Sequence, residues 1–307
     1  MLDLVGYVDL PPHAGPGGFD HAAVHRRTRR VFVAHTANDT VDVIDAAAGR
    51  LVATIEGLPA VAGALVSDER DLVFTSNRGE NTVGVAAVAA PHAVARTAVG
   101  VRPNGLAYDP RRHRLFVANV GDPAVPGSFT VSVVDVASMT MIAEVPVPGR
   151  TRWTVYDPVA EVCHVNIADP PLIVVLDARD PVAARRRVEI PSAGPHGLDL
   201  DVDGRRLFCA CDGGRLIEVH ADRGEVLRDA DLQGVPDVVF FNPALQHLYV
   251  AVGDPGIVEV FDTRSLCRVQ TLSTEKGAHT LAFDAPANLV YAFLPASHRA
   301  AVYVDRS

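Results

Sequence analysis

Val31-Phe32-Val33-Ala34-His35, the loop Thr36-Ala37-Asn38-Asp39, and Thr40-Val41-Asp42-Val43-Ile44-Asp45 decide how this chain folds. Two short β-branched and aromatic runs, separated by small residues, Asn and Asp, read as a pair of strands joined by a loop. The pattern continues outward on both sides. Ala22-Ala23-Val24 precedes it across an arginine-rich turn, and Leu51-Val52-Ala53-Thr54-Ile55 follows it after Ala46-Ala47-Ala48-Gly49, so one unit holds four strands, A to D. The unit then recurs. Its openings fall at Asp20, Ala62, Asn104, Arg152, His196, Asp237 and His279, spaced by 42, 42, 48, 44, 41 and 42 residues. A period near forty residues with four strands in each is the pattern of propeller blades around an axis. The expected fold is all-β: one seven-bladed β-propeller of four-stranded blades spanning residues 1–307.

The seventh unit stops after Ala301-Val302-Tyr303-Val304-Asp305, its third strand, while Leu4-Val5-Gly6-Tyr7-Val8-Asp9-Leu10 belongs to no unit and reads as a fourth strand. This first strand is expected to complete blade seven and close the ring, tying down both termini. Gly15-Pro16-Gly17-Gly18 is then the lead-in to blade one. Two insertions break the period, Gly121–Ser128 between strands B and C of blade three and Arg179–Arg187 between C and D of blade four.

A chain of this length buries roughly three quarters of its unfolded surface, so the core needs no disulfide or metal. The formal charge is −9 and no long basic run occurs, which disfavours a nucleic-acid partner. Local arginine groups (Arg26, Arg27, Arg29 and Arg30; Arg111, Arg112 and Arg114; Arg205 and Arg206) all fall in A–B hairpins and share one face. They read either as solvated turns that protect strand edges or as a docking surface for an anionic or protein partner. The N-terminus lacks a cationic segment followed by a long apolar one, and no run of about eighteen apolar residues occurs, so neither secretion nor a membrane partner is expected. Cys163, Cys209, Cys211 and Cys267 lack CxxC spacing and lie in strand-like runs, as buried free thiols of a cytoplasmic protein would.

Strand B ends Phe32-Val33-Ala34-His35, Phe74-Thr75-Ser76-Asn77, Phe116-Val117-Ala118-Asn119 and Cys163-His164-Val165-Asn166 in the first four blades. With Asn38-Asp39-Thr40-Val41-Asp42-Val43-Ile44-Asp45 these resemble the Tyr-Val-Thr-Asn repeat propellers over nearly the whole chain. The resemblance implies the architecture and leaves activity open, since that family holds surface-layer, binding and enzymatic members. A second likeness lies in the A strands. Arg102-Pro103-Asn104-Gly105-Leu106 and Pro195-His196-Gly197-Leu198 are similar to the gluconolactonase and senescence-marker lactonases, whose axis residues ligate one divalent ion. That resemblance implies ligand positions at Asp20, Asn104 and Asp237. It breaks at Arg152 and His196, where another Asn is expected, and in blade number, since those lactonases usually have six. Pro-His-Gly also resembles virginiamycin B lyase, a seven-bladed, magnesium-using propeller whose full catalytic set has no match here.

The first residue of strand A and the last of strand B face the same end of a propeller, so their chemistry defines a channel mouth. His196, Asp237 and His279 come from three successive blades, with Asp20 next in the closed ring. Two imidazoles and a carboxylate converging with open positions suit a divalent ion, zinc or iron, and an added carboxylate suits manganese, magnesium or calcium. The alternative is a hydrogen-bonded polar channel holding water. His35 replaces the Asn of its repeat, and with Asp20 it is a candidate general acid or base, or else a loop cap. Asn104 and Arg152 are candidates to orient a substrate, Trp153 to stack on it or pack between blades, and Asn77 and Asn119 to bind it from the rim or to cap loops. Polar B-strand ends in blades one to four and apolar ones or Cys in five to seven predict a mouth with a hydrogen-bonding side and a greasy side, as small molecules use.

No G-x-S-x-G elbow, P-loop, G-x-G-x-x-G after a strand or H-E-x-x-H occurs. The leading expectation is an enzyme with a divalent metal at the channel mouth, a lactonase-like hydrolase or a lyase or isomerase, acting on a small-molecule substrate. The alternative is a non-catalytic scaffold binding a protein, peptide or small ligand.

Overall fold

A strand that is apolar on both faces must be covered on both sides, and the B strands are of this kind: Arg30–His35, Leu72–Asn77 and Arg206–Cys211 are buried at every position after the first. In the computed structural model, which describes residues 1–306, neighbouring sheets supply that cover. Twenty-eight strands form seven four-stranded antiparallel sheets in the order A-B-C-D. Blade one holds Ala22–His25, Arg30–His35, Thr40–Asp45 and Arg50–Ile55, within a residue or two of the sequence expectation. Blades touch chiefly through their first strands, which makes strand A the innermost. Strand D lies outermost and alternates between exposed and covered positions, as in Ala184–Glu189.

Seven apolar clusters account for the core, one in each gap between adjacent sheets. Phe32, Phe74, Phe116 and Phe208 stand in four of the B strands and are fully buried. The ring closes as expected. Leu2–Asp9 pairs antiparallel with Arg299–Asp305, making the fourth strand of blade seven, and the Met1 amino group sits 2.6 Å from Asp305 Oδ1. Clusters from both sides of blade seven draw on this strand, through Leu2 and through Val8 with Leu10.

Three expectations are corrected by the fold. In blade four Thr151 pairs with Ile167, as Pro103 pairs with Asn119 and Pro195 with Cys211, so strand B ends at Ile167 and Asn166 lies one position earlier. The arginines of the A–B hairpins are largely inter-blade staples rather than solvated turns. Arg29 binds Asp284 at 2.8 Å, Arg205 spans Asp157 and Asp222, and Arg206 joins Asp201 to the Thr263 carbonyl. Asp157, Asp201 and Asp284 stand at the ends of A strands and Asp222 in the C–D turn of blade five, so the staples stitch the lower rim of the ring. Cys163, Cys209 and Cys211 are buried, but Cys267, at the start of an outermost strand, is exposed. Among the described residues no helix is long and apolar enough to cross a membrane.

Candidate functional site

The axis residues owe their placement to a bulge. In blades two to six strand A slips register against strand B at its opening, for instance between Pro195 and Gly197 and between Thr151 and Thr154. A bulge turns a side chain out of the pleat, here at Ala62, Asn104, Arg152, His196 and Asp237. The glycine after it has a packing cause. A Cβ on Gly197 would stand 2.1 Å from the Asp237 carbonyl oxygen, on Gly105 2.5 Å from that of Arg152, and on Gly63 2.6 Å from that of Asn104. The Asn-Gly and His-Gly pairs are thus explained by the close approach of the next blade's backbone.

Around the axis these openings build a linked set of ions. His196 Nδ1 donates to Asp212 Oδ1 at 2.7 Å, and its Nε2 lies between Arg152 Nη1 at 3.1 Å and Asp237 Oδ1 at 3.2 Å. Arg152 also reaches Asp212 at 3.3 Å. His279 Nε2 stands 3.9 Å from the other Asp237 oxygen, while its Nδ1 is held by the Gly277 carbonyl at 2.8 Å. Across the ring Asp20 binds Arg78 at 3.1 Å and lies 3.3 Å from His21 Nε2, whose ring packs 4.0 Å from Trp153. Burial alone would raise the Asp237 pKa, but His196, His279, His21 and Arg152 outweigh it and hold the carboxyl below its ordinary value. Burial pushes His21 down, against Asp20 and Asp237, which favours the neutral ring. The Arg150 pKa is lowered by burial and then by the charges of Arg152, Arg102 and Arg78. Asn104 is buried and its Oδ1 has no hydrogen-bond partner.

Asp20, Asn104, Arg152, Trp153, His196, Asp237 and His279 are therefore brought to the channel. The B-strand ends are not. His35, Asn77 and Asn119 are fully buried, so they lie beyond direct reach of a ligand on the axis, and the expected polar and greasy sides of the mouth do not arise from them. Strand B is second from the axis, and the D–A connector covers its end: Gly100 packs so closely on the Asn119 amide that a Cβ there would clash. Asn119 Nδ2 bonds Thr130 and Ser132, and Asn77 Nδ2 bonds Thr82, each within its own blade. Asn166 donates to the His196 carbonyl, as Ser76 does to that of Asn104. His35 joins Asp42 at 2.7 Å and His13 at 2.8 Å, pinning the lead-in segment over the seam between blades seven and one.

Sequence reasoning missed Asp212, Arg78 and His21. A signal for the first two existed: the residue after the B-strand end is Thr36, Arg78, Val120, Ala168, Asp212, Gly253 and Pro295 in turn, and only Arg78 and Asp212 are charged.

A divalent ion does not fit the donors as placed. The Nε2 lone pair of His196 faces the Arg152 guanidinium, Asp20 is engaged by Arg78, and among the described residues no three His, Cys, Asp or Glu side chains converge on an ion-sized point.

No family model matches the chain, and no curated protein matches it. Among solved structures it is similar to a chain in a structure titled "Crystal Structure of Mitotic Checkpoint Complex", with a TM-score of 0.83 at 12% identity over 99% of this chain and 92% of the other. It is equally similar to a chain titled "Kuenenia stuttgartiensis Hydrazine Synthase", TM-score 0.83 at 14% identity over 97% of both. The likeness is to the fold alone.

Proposed function

We propose that the A-strand mouth binds a small carboxylate- or phosphate-bearing molecule and that His196 moves a proton on it, as in a hydrolase, lyase or isomerase acting in the cytoplasm. One observation carries the reading: His196 Nε2 has a donor, Arg152, on one side and an acceptor, Asp237, on the other, while Asp212 holds Nδ1. The neutral ring accepts from Arg152 and the protonated ring donates to Asp237. The imidazole can therefore gain or lose a proton at Nε2 without turning, which is what a general acid–base residue needs. Arg152, with Arg78 engaged by Asp20, supplies the charge for an anion.

The resemblances to lactonases and to a lyase support testing lactones and 2-hydroxy or unsaturated acids first. Untagged protein is screened by thermal shift against short carboxylates, sugar phosphates and lactones, and each ligand that stabilises it is then assayed for turnover. The expected result is a stabilising anion whose effect is lost in Arg152→Gln, with turnover reduced at least about 100-fold in His196→Asn. Equal stabilisation of wild type and Arg152→Gln would overturn the reading. Metal analysis of the same untagged protein is expected to give well below one ion per chain. A stoichiometric ion lost in a His196→Ala, His279→Ala variant would restore the metal-centred alternative.

A further inference from the structure

Beneath the ionic ring the channel changes character. A cavity of about 450 Å³ runs from His21 and Trp153 to the A–B hairpins and opens on the face opposite the mouth. Its walls are mainly apolar and aromatic, with Leu65, Leu106, Trp153, Tyr108 and Phe240 among them, and charged groups enter at the hairpin end. Two carboxylates line the cavity: Glu69 stands with Arg26 among the A–B hairpin residues, and Asp199 stands deeper, three positions along strand A from His196. Asp199 accepts only two backbone N–H groups, from Leu200 at 2.8 Å and from Phe241 of the next blade at 2.7 Å, and no Arg, Lys or His among the described residues pairs with it. Each oxygen therefore keeps a free lone pair. The hydroxyl of Tyr156, another wall residue, is buried without a hydrogen-bond partner.

We propose that this lower chamber is a second binding site, for an organic ammonium ion with an aromatic or branched apolar body. The chemistry is complementary at each point. A lone carboxylate in an apolar cavity is costly until a cation joins it, π faces add cation–π attraction, and a chamber of this size suits a small organic ligand. Burial raises the Asp199 carboxyl to about 6, against the amides of Phe241 and Leu200, with smaller contributions from Asp201 upward and from Arg26 downward. The other titratable groups lining the chamber and its adjoining lobe are His21, Asp68, Glu69, Tyr108, Tyr156 and Asp203; strand A of blade six contributes none. A bound ammonium draws this carboxyl into its ionised form. Ligand affinity is consequently full above pH 7 and falls about tenfold toward pH 5, where Asp199 is mostly protonated.

Trp153 is the only tryptophan and lies in the chamber wall, so its emission reports occupancy directly. The test titrates the full chain with phenethylamine and, in parallel, with 2-phenylethanol, its neutral counterpart, at pH 5 and 7.5. The expected result is a saturable change with phenethylamine, at least tenfold tighter than 2-phenylethanol at pH 7.5, a preference that shrinks at pH 5 and disappears in Asp199→Asn. Equal affinity for the two compounds at pH 7.5, or no saturable change with either, would overturn the proposal. The pH comparison on wild-type protein decides the matter even if Asp199→Asn does not fold.

Discussion

His196 illustrates how much of a residue's role is set by its partners. A histidine on an axis is a metal ligand, a base or a structural donor according to what faces Nε2, and here an arginine and a carboxylate flank it. Asp212 orients the ring, so Asp212→Asn is expected to lower turnover of any substrate found by about 100-fold while moving the melting temperature little. A steady-state assay beside a melting curve checks this. Gly197→Ala acts oppositely. Its Cβ would meet the Asp237 carbonyl at 2.1 Å, and the strain is expected to cost about 1–3 kcal/mol, seen as a lower melting temperature. The sequence displayed the axis residues because each opens a repeat, but it hid their partners. Asp212 and Arg78 sit in loops where neither period nor propensity constrains the residue, and only comparison of the same loop position across blades marks them.

Elements were legible wherever burial imposed a pattern. B strands covered on both faces read as continuous apolar runs, and their boundaries in blade one fall where the sequence placed them. Blade four slipped by one residue because His164 stands where other blades carry Phe or Tyr, which removed the landmark that fixes the register. The hairpin arginines were misread as solvated for a related reason. Their carboxylate partners lie at A-strand ends or in turns, in some cases those of neighbouring blades, a relation no local pattern contains. Asp157 shows what these staples contribute. Burial would raise its pKa, yet His164, Arg205 and the amides of Ala160 and Val159 hold it well below the ordinary value near 3.8. Its folded pKa is depressed, so its contribution is present above pH 3.8 and is lost as pH falls below that value. Denaturant melts between pH 2 and 5 are expected to show a steeper loss below pH 3.8 in wild type than in Asp157→Asn. Arg205→Ala should cost about 3 kcal/mol at pH 7, because it leaves a buried carboxylate without its main partner.

At the scale of the molecule, the ring sorts chemistry by height along its axis. Arginines, carboxylates and imidazoles crowd the mouth, an apolar chamber lies below, and salt-bridged hairpins stitch the lower rim. The strand Leu2–Asp9 holds this arrangement closed, and a chain lacking residues 1–10 is expected to melt at a markedly lower temperature, since clusters from both sides of blade seven lose side chains. Against an overall charge of −9, Arg152 and Arg78 among the axis residues form a local exception, and that exception is the reason to expect an anion there. The most direct measurement is the nitrogen spectrum of the histidine rings, recorded while a small carboxylate or inorganic phosphate is titrated into wild type and Arg152→Gln. A saturable change at His196 Nε2 with Nδ1 still protonated is expected in wild type and not in the variant; a His196 signal that ignores every anion, or responds alike in both proteins, would rule out the anion site.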